Sequence, residues 1–202
     1  MNFSVTGIFM HGNTFAGHDL VTVGRLATVS TAAEVVHARM KTVPDFPEPG
    51  ILFRDLTPVF ANGPSFRAVV DGLIEPFVGL FDAVAGLEAR GFLLAAAASI
   101  DAGVGVLPIR KAGKLPGVTL QETYELEYGT ATFEVSPDAL PKGSRVLIMD
   151  DVLATGGTIG ASIELIERAG WEVVGIAVVL EIQALGGRQR LNNRPIHSLV
   201  KV

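Results

Sequence analysis

Apolar and polar positions between residues 83 and 181 form short apolar runs separated by stretches with helical spacing. Ala83–Leu87, Val104–Ile109, Val146–Met149 and Trp171–Glu181 read as strands. Val146–Met149, apolar without alternation, has the pattern of a strand buried on both faces of a parallel sheet, and Trp171–Glu181 reads as another buried strand. Phe92–Ala102 is Ala-rich and reads as a buried helix ended by Gly103. Ile159–Ala169 sets Ile159, Ile163, Ile166 and Ala169 at helical spacing, with Gly170 as a C-terminal stop. Strands alternating with helices predict an α/β fold with a mainly parallel sheet flanked by helices. Thr130–Val135 alternates like an edge or hairpin strand, and Asp138–Gly143 reads as a turn before the 146–149 run.

Upstream, Thr31–Met40 fits a short helix capped by Ser30 or Thr31. Pro44–Gly50 breaks regular structure by fixing backbone angles and removing donors, and Ile51–Pro58 follows as an extended or loop segment. Pro64–Phe81 carries apolar residues near helical spacing, and Pro76 should kink or divide that helix. Residues 1–30 show no sustained period and read as an irregular N-terminal extension outside a single domain spanning 31–202. Residues 182–202, with Gly186-Gly187, read as a tail.

Composition narrows the class. A chain of 202 residues, 49% hydrophobic and 18% charged, has the makings of one globular domain. Its net charge of −5 argues against non-specific nucleic-acid binding. Zero cysteines exclude disulfides and thiolate chemistry, which fits a cytoplasmic protein. The longest apolar helical run, Phe92–Ile100, is far shorter than the ~18 residues that a membrane span needs. The N-terminus lacks the basic start and apolar core of a secretory signal.

The candidate chemistry centres on Val146 to Thr158. An apolar run meets Asp150 and Asp151, and Ala154-Thr155-Gly156-Gly157-Thr158 then opens the next helix. Open α/β sheets place ligands beyond the carboxyl ends of their strands. Two glycines let the backbone turn tightly and approach a ligand, and a helix N-terminus offers free amides to an anion. Carboxylates beside an anion cradle must face something else, and a sugar diol or a hydrated Mg²⁺ fits. No Gly-x-x-x-x-Gly-Lys-Ser/Thr and no strand-borne Gly-x-Gly-x-x-Gly occurs. Gly86–Gly91 is a second strand-end loop, where Arg90 offers a bidentate fork for phosphate. Arg110, Lys111 and Lys114 cluster at a third strand end, suited to diphosphate. Tyr124–Gly129 supplies two acids and two aromatics for a mobile lid.

The string around Asp150 resembles the ribosyl-diphosphate motif of type I phosphoribosyltransferases. Phe46–Asp55, Gly86–Phe92, Arg110–Pro116, Leu126–Gly129 and Ala154–Thr158 together resemble the adenine phosphoribosyltransferases, over about residues 32–200. The resemblance implies the type I fold with a small hood and a mobile flap. It implies transfer of 5-phosphoribosyl from 5-phospho-α-D-ribose 1-diphosphate to adenine, giving AMP and diphosphate. Mg²⁺ would be held mainly by substrate and water, in a homodimer. Asp150 and Asp151 would bind the ribose hydroxyls, and Ala154, Thr155, Gly156, Gly157 and Thr158 the 5′-phosphate. Glu88 and Ala89, with a cis peptide often between them in the family, would hold diphosphate with Arg90. Arg110, Lys111 and Lys114 would add cations, partly across the dimer. Leu52, Phe53, Arg54 and Ile182 would line the adenine pocket, and Glu127 and Tyr128 would act from the flap. The rivals are a phosphoribosyltransferase for guanine, hypoxanthine, xanthine or orotate, and a non-catalytic purine or donor sensor that regulates transcription.

Overall fold

The computed structural model describes residues 31–125 and 129–202. The extension 1–30 and the flap residues Leu126, Glu127 and Tyr128 lie outside that range.

The described chain opens with helix α1 (Ala32–Arg39), where Thr31 and Glu34 form a reciprocal capping box. Strands β1 (Lys41–Pro44) and β2 (Leu52–Asp55) form a small antiparallel hairpin apart from the main sheet. The segment expected to be extended or loop is extended in β2 and then turns into a short helix α2 (Thr57–Phe60), with Pro58 in its first turn. Helix α3 (Gly63–Ile74) is capped by Asn62 and gives way to a 3₁₀ turn at Glu75–Phe77 that contains Pro76.

Seven strands make the main sheet: β3 (Ala83–Leu87), β4 (Gly105–Lys111), β5 (Leu120–Glu125), β6 (Thr130–Val135), β7 (Arg145–Leu153), β8 (Glu172–Glu181) and β9 (Ile196–Lys201). Their order is β5-β6-β4-β3-β7-β8-β9. The five from β4 to β9 run parallel, and the β5–β6 hairpin joins antiparallel at one edge. Helix α4 (Gly91–Ala102) joins β3 to β4, and α5 (Gly157–Arg168) joins β7 to β8.

Alternation along β7 feeds two cores. Leu147 and Met149 pack with α3 and α4 residues such as Leu73 and Leu94. Val146 and Ile148 pack with Ile159, Ile163 and Ile166 of α5. Each such side chain, removed from water, contributes about 1.5–3 kcal/mol before entropy is counted. From β3 the chain leaves by α4 on one face, and from neighbouring β7 by α5 on the other. That reversal opens a crevice at the carboxyl ends of β3 and β7, where open α/β sheets bind ligands.

Three expectations need correction. Asp150 and Asp151 do not end their strand: β7 continues to Leu153, because β8 pairs with it as far as Leu153↔Glu181 and Leu153 is buried. Helix α4 is not buried all round, since Leu93 and Ile100 face outward. Residues 182–202 are no loose tail: a 3₁₀ turn (Gln183–Leu185), helix α6 (Gly187–Arg190) and β9 close the parallel edge of the sheet. The six-residue β9 was hidden because it is too short and too mixed in polarity to show a period.

Candidate active site

A cavity of about 320 Å³ lies at the β3–β7 crevice, lined by Glu88, Ala89, Arg90, Lys111, Tyr124, Ala131, Asp150, Asp151 and Thr158. Glycines allow the elements to close around it. A Cβ on Gly91 would lie 2.7 Å from the Met149 carbonyl, and one on Gly86 would lie 2.8 Å from the Ala95 Cβ. Helix α4 thus starts directly against the middle of β7, at Met149 and Asp150. The Glu88–Ala89 peptide is cis, as the resemblance implied.

The two carboxylates are held differently. Asp150 Oδ1 accepts from the Asp151 amide at 2.9 Å. An Arg90 guanidinium nitrogen lies 2.7 Å from Asp151 Oδ2, yet it is misaligned for a hydrogen bond and Oδ2 stays buried without one. Burial, reinforced by the Asp151 charge, pushes the Asp150 carboxyl well above its ordinary value. Burial also raises Asp151, against the opposing pull of Arg90. A buried acceptor lacking a donor, beside a raised partner, suits a ligand that brings hydroxyls or a hard cation.

Beyond Asp151, residues Val152–Gly156 with Thr158 and Ile159 line a smaller concavity of about 50 Å³. Gly156 occupies the left-handed region at φ 83° and precedes α5, and no side chain caps the helix. The first-turn amides and the Thr155 and Thr158 hydroxyls are therefore placed for an anion.

The cations divide. Lys111 lines the cavity. Arg110 turns beneath it, with Nε 3.4 Å from Glu88 Oε2 and the guanidinium 5.9 Å from the Phe92 ring centroid. Lys114 lies outside the cavity lining, in a turn whose Lys114 and Leu115 amides donate to buried Glu134 at 2.6 and 2.7 Å. Burial works to raise the Glu134 carboxyl, but the amides of Leu115, Lys114 and Gly113 outweigh it and hold it low.

A second cavity, about 370 Å³, is lined by Gly50, Ile51, Leu52, Arg54, Ile182, Ala184, Leu185 and Val202. Leu52, Arg54 and Ile182 are thus brought together from opposite ends of the chain. Phe53 projects to the other side of β2, its ring 5.1 Å from Phe46 and 5.9 Å from the Arg90 guanidinium. A larger groove of about 590 Å³ runs beside α1, α3 and β9 and shares no lining residue with the other two cavities.

Sequence reading gave one residue here a different place and passed over another. Tyr124, read as part of a mobile lid, lines the 320 Å³ cavity with its ring 5.0 Å from Phe133. Burial raises its hydroxyl, with Thr158 pulling the other way. Gly187 abuts the loop after β7. No local feature of the sequence signalled the Gly187 contact.

Residues 61–194 match the family described as phosphoribosyl transferase domain. The adenine phosphoribosyltransferase of Clavibacter michiganensis subsp. michiganensis is 61% identical over 169 residues, covering 84% of this chain and 96% of that one. The chain belongs to the adenine phosphoribosyltransferases. The family member from Rhodothermus marinus superposes with a TM-score of 0.79 at 48% identity, over 85% of this chain and 98% of that structure. The Saccharomyces cerevisiae member, solved with D-2,5-dideoxy-2,5-imino-altritol 1,6-bisphosphate and adenine, gives 0.79 at 40% identity, over 84% and 98%. Among the described residues, no helix is long and apolar enough to cross a membrane.

Proposed function

We propose that the two cavities divide the family's reaction between them. The chain transfers 5-phosphoribosyl from 5-phospho-α-D-ribose 1-diphosphate to adenine, releasing AMP and diphosphate. The observation that carries this reading is the phosphate cradle of Ala154–Thr158 following half-buried Asp150 and buried Asp151 at the β3–β7 crevice. The adenine reported with the yeast relative supports the choice of base.

In this reading the amides and hydroxyls of Ala154, Thr155, Gly156, Gly157 and Thr158 take the 5′-phosphate. Asp150 and Asp151 accept hydrogen bonds from the ribose hydroxyls, which would satisfy Asp151 Oδ2. The Glu88–Ala89 backbone, Arg90 and Lys111 hold the diphosphate, with Arg110 and Lys114 adding positive charge nearby. Adenine lies against Leu52, Arg54 and Ile182, with Phe53 contributing through its backbone. The bond from C1′ to diphosphate oxygen breaks as N9 bonds to C1′, and the N9 proton leaves to Glu127, with Tyr128 beside it on the flap. Fixed cations stabilise charge that grows on the leaving group. Mg²⁺, when bound, supplies further neutralisation of the diphosphate. Two adjacent carboxylates fit it, since Mg²⁺ beside phosphates takes one or two carboxylates and fills its shell with water and phosphate oxygens.

The reading extends to a homodimer. Leu93 and Ile100, seven residues apart on α4, face outward at 53% and 84% exposure, with Val106 of β4 at 47%. Apolar residues left outward on one helix face suit a second copy. Residues 31–202 would carry the whole activity, so removal of 1–30 should leave turnover and melting temperature nearly unchanged. Placement in the cytoplasm rests on the cysteine-free composition.

The test is an initial-rate assay with the ribosyl donor, Mg²⁺ and labelled adenine, guanine, hypoxanthine or xanthine. Adenine alone should be converted efficiently. A preference for an oxopurine, or no turnover with any base, would overturn the reading.

A further inference from the structure

We infer that Gly187 and Arg188 are positioning residues for the phosphate loop, bracing it from behind through the short C-terminal helix α6. This rests on the functional reading above. The contact is made by backbone alone. A Cβ on Gly187 would run into the Ala154 carbonyl oxygen and come within 2.9 Å of the Gly156 amide nitrogen. Conversely, a Cβ on Gly156 would lie 2.8 Å from the Gly187 carbonyl oxygen. Neither neighbour is a side-chain end that could swing aside. The loop and the start of α6 therefore share one fit that only glycine permits.

The brace is itself clamped. Arg188 forks onto Glu181, with Nε to Oε1 at 2.8 Å and a terminal nitrogen to Oε2 at 2.6 Å. Its remaining donors reach the Ile196 carbonyl at 3.1 Å and Ser198 Oγ at 3.3 Å, and Ser198 Oγ donates to Glu181 Oε2 at 2.7 Å. Glu181 is the partner of Leu153 across β7 and β8, one residue before the loop starts. Strand β9, the Arg188 fork and Gly187 thus form a continuous path from the sheet edge to the back of the loop. A loop held in its binding shape loses less conformational freedom when the phosphate arrives. None of these side chains lines the donor-side cavities, so the effect should fall on the donor through the loop.

Full-length Gly187→Ala, Arg188→Ala and Arg188→Lys should be compared with the parent by steady-state kinetics, each substrate varied in turn, and by calorimetric titration with ribose 5-phosphate. Misplacing a binding group by about 1 Å can cost ~10²-fold. Gly187→Ala should therefore raise the donor KM and weaken ribose 5-phosphate by about 10–100-fold, with adenine KM within about threefold. Arg188→Ala should move both in the same direction by less, and Arg188→Lys should recover part of the loss. If Gly187→Ala does not fold, the Arg188 pair decides. A folded Arg188→Ala with parental donor KM and ribose 5-phosphate affinity, or equal losses for donor and adenine, overturns the inference. A parent that binds ribose 5-phosphate yet makes no AMP would instead fault the functional reading, leaving the brace to be judged by the titration.

Discussion

The donor side and the base side of this site are built in opposite ways. The donor side sits where two central strands end, and most of its groups come from two short unbroken stretches, Glu88–Arg90 and Asp150–Thr158. The base side is assembled from an exposed hairpin and a segment more than a hundred residues downstream. One is a feature of the sheet, fixed by parallel pairing and close glycine contacts. The other is a wall between two separate pieces, with Leu52 half exposed. In the proposed division, phosphate and ribose chemistry falls to the part built on the sheet, where preorganised amides and charges act at full strength. Base selection then falls to the hairpin side, where apolar contact discriminates by shape.

The largest effect should come from the donor side. Asp150→Asn with Asp151→Asn should preserve the fold but reduce turnover by about 10²–10⁴-fold, since hydrogen bonds to charged groups contribute ~1.5–3 kcal/mol each. A folded double variant with near-parental turnover would dissolve the distinction between the two sides.

Next comes the flap. Glu127→Gln should lower kcat toward the lower end of the ~10²–10⁴-fold that proton transfer contributes, with adenine KM changed less. Glu125→Gln is the control and should be mild. If their effects are reversed in kinetics at matched melting temperatures, the proton acceptor is Glu125.

On the base side, Ile182→Ala should raise adenine KM by about tenfold, in the range of ~1–3 kcal/mol for lost apolar contact. Donor KM should stay within about twofold. An equal rise in both would mean that the two sides are not separable.

How much of this was legible follows from the same contrast. The strand-end crevice could be read because its residues are contiguous, so Asp150-Asp151 and Thr155-Gly156-Gly157-Thr158 carry the signal themselves. The sheet was legible because β3, β7 and β8 are apolar on both faces. The charges that mark the site also concealed the true end of β7, since a sequence reader stops a buried strand at its first carboxylate. Gly187 and β9 stayed hidden for another reason. Their significance is a tertiary contact with a loop thirty residues upstream, and a glycine pair in a mixed-polarity stretch looks like any turn.

The smallest effect concerns stability. The Arg188 fork on Glu181, with Ser198 assisting, holds the Glu181 carboxyl at about 2, below its usual 4.5. The folded state thus binds fewer protons than the unfolded state between those values. The contribution is full above about pH 4.5 and is lost as pH falls toward 2. Glu181→Gln should cost about 1–2 kcal/mol at neutral pH, allowing for the partly exposed guanidinium. The gap between variant and parent should narrow in urea melts as pH drops through that window, and a gap constant with pH would refute the assignment.

The central claim is the division of one reaction between a strand-end phosphate site and a hairpin wall, and a crystal structure with AMP and diphosphate tests it most directly. The account predicts the 5′-phosphate within Ala154–Thr158, ribose hydroxyls on Asp150 and Asp151, diphosphate beside Arg90 and Lys111, and the purine against Leu52–Arg54 and Ile182. A purine bound away from the hairpin, or a 5′-phosphate outside the Ala154–Thr158 loop, would contradict it.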